Sequence, residues 1–318
     1  RLTANLAAFY YNYHDYQISE IVDRSAFNRN FDAEIWGFEL ETDWYALEQL
    51  RLGFKGGYQR TRIGDGEQAV DLMDRTAGNE DWVVVRPFPT YASSCILPEW
   101  LFSGLMYPTT DGVMGPVGVG GVGGGNSGGC EIAYLNGNDP VTNLPYVPNP
   151  TEQGSAGTLQ FHPNYPGWDP ATAPNNGEGF DKDLSGNELP NAPNYTLTLT
   201  GDYIQPLGNA WMMTLHADVH WQSKSWWRIF NDHEFSRLDD YYTTNLAAIF
   251  LHEASGWNVM AYIKNVFDKT AISGAFLNSD DTGLTTNIFL TEPRLFGLRV
   301  TKTWDGGATL GSFGRRFG

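Results

Sequence analysis

The chain has 318 residues, enough for about two ordinary domains or one large β architecture. Its 20 Lys and Arg against 37 Asp and Glu leave a net charge of −17, which excludes a nucleic-acid backbone as partner, because phosphate binding needs clustered basic residues. An aromatic content of 14% excludes a disordered acidic chain, and two cysteines exclude a disulfide-built miniprotein. No apolar run reaches the ~18 residues of a membrane-spanning helix, but a barrel strand buries only every second residue, so a membrane stays open.

Arg1 to Leu6 show no initiator Met, no basic n-region and no apolar h-region, which reads as a mature or internal fragment. Strands are expected at roughly 2–18, 33–47 and 50–63. Trp36, Phe38, Leu40, Thr42 and Trp44 alternate with Gly37, Glu39, Glu41 and Asp43. Leu52, Phe54, Gly56 and Tyr58 repeat the pattern against Arg51, Gly53, Lys55 and Gly57.

The chain then changes character. Residues 64–190 hold 16 Asp and Glu against three Lys and Arg, with 21 of the 36 Gly and 14 of the 17 Pro. Pro removes a backbone donor and Gly removes conformational restriction, so neither long strands nor long helices are expected. One very long acidic loop over 64–188 is the reading. Cys95 and Cys130 both fall in it, and outside the cytoplasm such a pair is usually bridged. Its aromatics Trp82, Trp100, Tyr107, Tyr134 and Trp168, with Trp226, Trp227 and His233 further on, are candidate ligand contacts. Packing into the loop's own small core is the equal alternative. Asp181-Lys182-Asp183-Leu184-Ser185-Gly186 matches half a calcium loop, but Ala192 stands where a bidentate Glu is required. An EF-hand is therefore rejected, and an irregular Ca²⁺ site in the acidic loop is kept open as the one cofactor.

Five further strands are expected at roughly 189–206, 210–229, 238–253, 257–271 and 284–304. In Trp211 to Trp221 one face reads Trp211, Met213, Leu215, Ala217, Val219, Trp221, and the other Met212, Thr214, His216, Asp218, His220. Ten residues at ~3.3 Å, tilted by ~40°, cover about 25 Å, the height of the apolar band on an outer-membrane barrel, with aromatic girdles at both ends. A soluble β-sandwich also alternates. Strand length, aromatic ends and ionised mid-strand residues on the opposite face favour the transmembrane antiparallel barrel. Glu39, Glu41, Asp43, His216, Asp218, His220 and Arg299 are expected on its inner wall, facing a lumen or plug. His216, Asp218 and His220 lie too far apart along one strand to hold a metal unaided, so no metal site is assigned. Short turns at Glu48-Gln49, 207–209 and 254–256 alternate with longer connections at 19–32, 64–188, 230–237 and 272–283, the long ones expected outside. No catalytic constellation emerges; the Gly-rich run lacks the Lys-Ser/Thr of a phosphate loop. An enzyme is not expected.

Three segments now carry a resemblance. Gly186-Asn187-Glu188-Leu189-Pro190-Asn191-Ala192-Pro193 resembles the strand-entry segment of TonB-dependent outer-membrane receptors. Asn265-Val266-Phe267-Asp268-Lys269 resembles their penultimate-strand signature, and Pro293-Arg294 through Gly297 to Trp304 their closing strand. The resemblance implies the last eight strands of a barrel of ~22 strands over 1–304, with a tail at 305–318 and the plug and TonB box absent. Pro190, Pro193, Asn265, Phe267, Asp268, Pro293, Arg294, Gly297 and Trp304 are given structural roles. The implied function is energy-coupled uptake of a scarce nutrient such as a ferric siderophore across the outer membrane of a Gram-negative cell. The implied partners are the bilayer and lipopolysaccharide, the plug of the same protein, TonB, the small-molecule nutrient and a surface protein. The alternative is a self-contained eight-stranded barrel with a structural or adhesive role, whose strands would close on themselves.

Overall fold

The computed structural model describes residues 1–22, 25–85, 94–100, 106–108, 114–116, 172–279 and 282–304. One antiparallel sheet of eight strands organises them: β1 (Leu2–Val22), β2 (Ser25–Tyr45), β3 (Leu50–Ile63), β4 (Tyr195–Gly208), β5 (Trp211–Gln222), β6 (Tyr241–His252), β7 (Trp257–Lys264) and β8 (Leu295–Lys302). They lie in chain order, each paired with its sequence neighbour. The outermost strands, β1 and β8, each have one paired side among the described residues and do not pair with each other. No described helix is long and apolar enough to cross a membrane, which leaves crossing by strands open.

All eight expected strands are present, with corrected ends. β4 starts at Tyr195 rather than 189, because Pro190 and Pro193 lack the donor a ladder needs and Asn191 adopts φ 55°. β5, β7 and β8 are shorter than expected, and residues 272–277 and 286–290 form a separate hairpin. The largest correction falls on 19–32, expected as a loop. Those described within it continue the ladder, making β1 and β2 21 residues each. A bulge places His14 and Asp15 opposite Asp32, with Asp15 at φ 59°. The extra residue flips the face parity, so alternation read from the sequence breaks there although the strand does not.

Register sorts the side chains into two faces. Across one row, Leu40, Gly56, Leu197, Trp221 and Tyr242 stand side by side. Leu6, Phe38, Leu199, Leu215, Leu246, Phe296, Leu298 and Val300 on the same face are all exposed. An exposed apolar surface this wide marks a face made to contact a membrane or a partner. Aromatics mark both margins of the face, with Tyr10, Trp36, Tyr58, Tyr195, Trp221 and Tyr242 at one end and Trp44, Tyr203, Trp211 and Trp257 at the other. Lys302, which interrupts the pattern, bonds Ser255 O and lies over Trp257 and Trp304 at 5.1 and 5.4 Å, so its stem follows the apolar surface to the margin.

The compact core is elsewhere. Phe31, Ala33, Ile63, Ala69, Leu184, Leu189, Ile229 and Phe230 pack at the end of the sheet where the long connections lie. The opposite end has only tight turns, 46–49, 209–210 and 253–256.

Candidate functional site

The polar face is a set of paired charges in register. Glu41, Lys55, Thr198 and His220 share one row, and Asp43, Gly53, Thr200 and Asp218 the next. Lys55 meets Glu41 at 3.1 Å and Arg51 meets Asp43 at 2.8 Å. His216 Nδ1 lies 2.7 Å from Asp202 and its Nε2 3.4 Å from Asp218, which also accepts from Asn245 at 2.8 Å. His220 instead lies 2.9 Å from the Thr198 hydroxyl. The two histidines thus take separate partners. Arg299 stands opposite Met260 on the same face as Tyr262, whose ring lies over Gly297, where any added Cβ would collide with it. All seven residues expected on the inner wall share this face.

The cap at the core end is built from segments far apart in sequence. Gln68–Val70 pairs with Asp181–Asp183, which sets Lys182 in a two-stranded ladder. Its ammonium lies 2.8 Å from Asp74, 2.7 Å from Asp232 and 3.4 Å from Asp71. These three carboxylates share the one ammonium, and Asp71 also pairs with Arg228. Burial works against that charge, but the hydrogen bonds to Asp232 and Asp74 outweigh it and hold the ammonium above its ordinary range. Burial likewise opposes ionisation of Asp232, yet the Lys182 bond keeps its carboxyl below the usual carboxylate value. Asp183 turns to its own chain, accepting from the Ser185 hydroxyl and amide, which lowers its pKa.

Arg228 pairs with Asp71, both buried, and its guanidinium lies over Phe230 at 4.9 Å and Trp227 at 5.6 Å. Arg75, 1% exposed, donates to Glu178 O at 2.7 Å. Arg29 on β2 joins Glu20 at 2.9 Å and Glu178 at 3.0 Å, tying the tall β1–β2 hairpin to the cap. Sequence reasoning missed Asp71, Arg75, Lys182 and Arg228 as a unit. Their separations in the chain, 157 residues for Asp71 and Arg228, leave no local pattern to read.

The motif residues act as clamps. Leu184 and Leu189 are buried in the core, Asn187 donates to Ile229 O at 2.9 Å, and Leu189 N donates to the Thr61 hydroxyl at 2.9 Å. Pro193 O accepts from Gln59 at 3.0 Å. Asn265, 4% exposed at φ 47°, donates to Lys269 O and Glu292 O and accepts from Lys269 N, all at 2.8–2.9 Å. Asp268, at φ 52°, accepts from Arg294 N at 2.9 Å. Asn and Asp tolerate this left-handed backbone because their short polar side chains bond it locally. Arg294 lies with Asp268 and the Val266 carbonyl on this turn, following Pro293. Phe267 is exposed beside Tyr242, and Trp304 is exposed at the sheet's end.

Of the candidate ligand contacts, Trp227 is buried in the cap with its Nε1 donating to Phe235 O, so it packs rather than presents a surface. Trp226 stacks under Arg237, and His233 caps the short turn at Glu234–Ser236. Trp82 packs edge-on against Phe180. Trp100 is 52% exposed. Tyr107 lies in the short strand Met106–Pro108, paired with Met114–Pro116. Tyr134, Trp168, Cys130, the tail from 305 and most of the long loop lie outside the described residues; Cys95 is disulfide-bonded.

No family model matches the chain, and no curated protein matches it. Among solved structures it is similar to the ferric yersiniabactin uptake receptor FyuA of Yersinia pestis, with TM-score 0.47, 12% identity, and 94% of this chain and 27% of that one covered. It is similar also to BauA, the ferric preacinetobactin receptor of Acinetobacter baumannii, with TM-score 0.43, 11% identity and the same coverages. For the ferripyoverdine receptor of the Pseudomonas aeruginosa outer membrane the TM-score is 0.42 at 12% identity, covering 94% of this chain and 24% of that one. Nearly all of this chain aligns in each case, and it spans about a quarter of the length of the receptors it matches.

Proposed function

We propose that this chain is the C-terminal wall of an outer-membrane barrel that imports a scarce nutrient, such as a ferric siderophore, by TonB-coupled transport. The observation that carries the reading is the sorting of one continuous sheet into an exposed apolar face with aromatic margins and a charged opposite face. A bilayer and a wet lumen together account for both. The cap and long connections at one end, against tight turns at the other, fit an outside and a periplasmic side. The sheet's open edges favour a segment of a larger barrel over eight strands closed on themselves. The motif clamps sit where the resemblance expects structural residues.

Uptake of radiolabelled ferric siderophores by cells carrying the full-length protein, with and without its gene, tests the proposal. Import should disappear with the gene and with dissipation of the inner-membrane proton gradient. Import that persists without the gene, or that survives loss of the gradient, for every siderophore offered would overturn it.

A further inference from the structure

The closing pair of strands lacks a tight turn. β2–β3, β4–β5 and β6–β7 are joined by short turns, which fix their register. β7 and β8 are joined by residues 265–294, which carry a hairpin of their own, so the connection leaves the register open. Alternation along the two strands does not close it. Trp257, Val259, Ala261 and Ile263 stand opposite Lys302, Val300, Leu298 and Phe296 on the apolar face. A slip by two residues returns every side chain to its own face and mostly sets aliphatic against aliphatic again.

The clamp above β7 does not read the register either. Asn265 donates to Glu292 O and Asp268 accepts from Arg294 N, and these are backbone groups that almost any residue offers. One pair is specific to its residues. Tyr262 stands directly opposite Gly297 on the inner face, and its ring lies where a Gly297 Cβ would be. Gly297 is the one glycine of β8. Slipped by two, the ring would meet the side chain of Leu295 or Arg299 in that place.

We propose that the Tyr262 ring and Gly297 form a register lock that seats the last strand at one height on β7. The lock decides where the outer edge of β8 stands, against the ~7 Å displacement of a two-residue slip. Its contacts lie within one strand pair, so the inference rests neither on import nor on what faces the ring from the lumen.

The test gives the full-length protein, folded in detergent micelles, one added cysteine pair at a time. Ala261→Cys with Leu298→Cys reports the observed register, and Ala261→Cys with Phe296→Cys or with Val300→Cys reports a slip in either direction. Directly opposite Cα atoms fall within the span of a disulfide. After oxidation, peptide mass spectrometry reads which pairs are linked. In the otherwise native background the observed-register link should exceed either slipped link about tenfold or more. Tyr262→Ala should cut that excess roughly fivefold or more, whereas Asn265→Ala should preserve it. Gly297→Ala should lower the folded yield, read by heat-modifiable migration on gels, and adding Tyr262→Ala should recover it. Tyr262→Leu replaces Tyr262→Ala if that variant does not fold. A folded Tyr262 variant linked in the observed register alone, loss of the excess in folded Asn265→Ala, or a Gly297→Ala defect that Tyr262→Ala leaves in place would overturn the lock.

Discussion

Asn265 shows how much one residue decides. A left-handed backbone, a buried side chain and three hydrogen bonds converge on it, and together they close the turn that leads out of β7. Asn265→Ala leaves two backbone carbonyls and one amide without their partner. The expected loss is about 2–4 kcal/mol, read as a lower midpoint of urea unfolding in detergent. Asn265→Gly keeps the backbone conformation without the bonds, and its midpoint should fall between wild type and Ala. Equal midpoints for all three would show that the turn is held by other means. The sequence marked Asn265 and Asp268 as turn formers, because both residue types bond their own backbone. It could not show that Asn265 also reaches Glu292, since that contact exists only once β8 lies beside β7.

At the scale of elements, the cap is held by ions as well as by its apolar core. The Asp232 carboxyl is depressed below its ordinary 3.8, so its stabilising contribution is present above that value and is lost as pH falls through the folded one. The Lys182 ammonium is raised above 10.5, so its contribution is complete below that pH and is lost only in stronger alkali. The cap should therefore hold between about pH 5 and pH 9 and loosen below about pH 4. Amide hydrogen-exchange protection at Leu184 and Leu189, whose N–H groups bond Glu67 O and the Thr61 hydroxyl, follows this directly. Protection already lost at pH 6 would contradict it. None of this was legible in the sequence, where Lys182 lay in one acidic, Gly- and Pro-rich stretch and Asp232 in a separate connection. The net charge of that stretch hid the fact that its three basic residues include two cap anchors, Arg75 and Lys182.

For the whole molecule, the two faces of the sheet make opposite predictions for the same chemical change. Leu199 lies mid-strand on the exposed apolar face and Thr200 beside it on the polar face. Leu199→Arg should cost about 2–4 kcal/mol in lipid vesicles, as charge at a bilayer midplane does, and Thr200→Arg should cost much less. Equal costs in reversible urea unfolding would argue against a bilayer on the Leu199 side. Bromolipid quenching offers an independent reading: Trp36 and Trp221 should respond to labels near one headgroup region, and Trp211 and Trp257 to labels near the other.

The order of the eight sheet strands, and their facing below the β1 bulge, were legible in the sequence alone, because a period of two writes itself into each strand and Trp or Tyr marks its ends. Local turn chemistry placed the tight turns, and the resemblance marked the motif clamps. The tertiary structure decided the rest. It turned the described parts of 19–32 from loop into ladder, because a bulge inverts the period without ending the strand. It brought Lys182 and Arg228 together on the buried Asp71, since ion pairing depends on distance in space and not on separation along the chain.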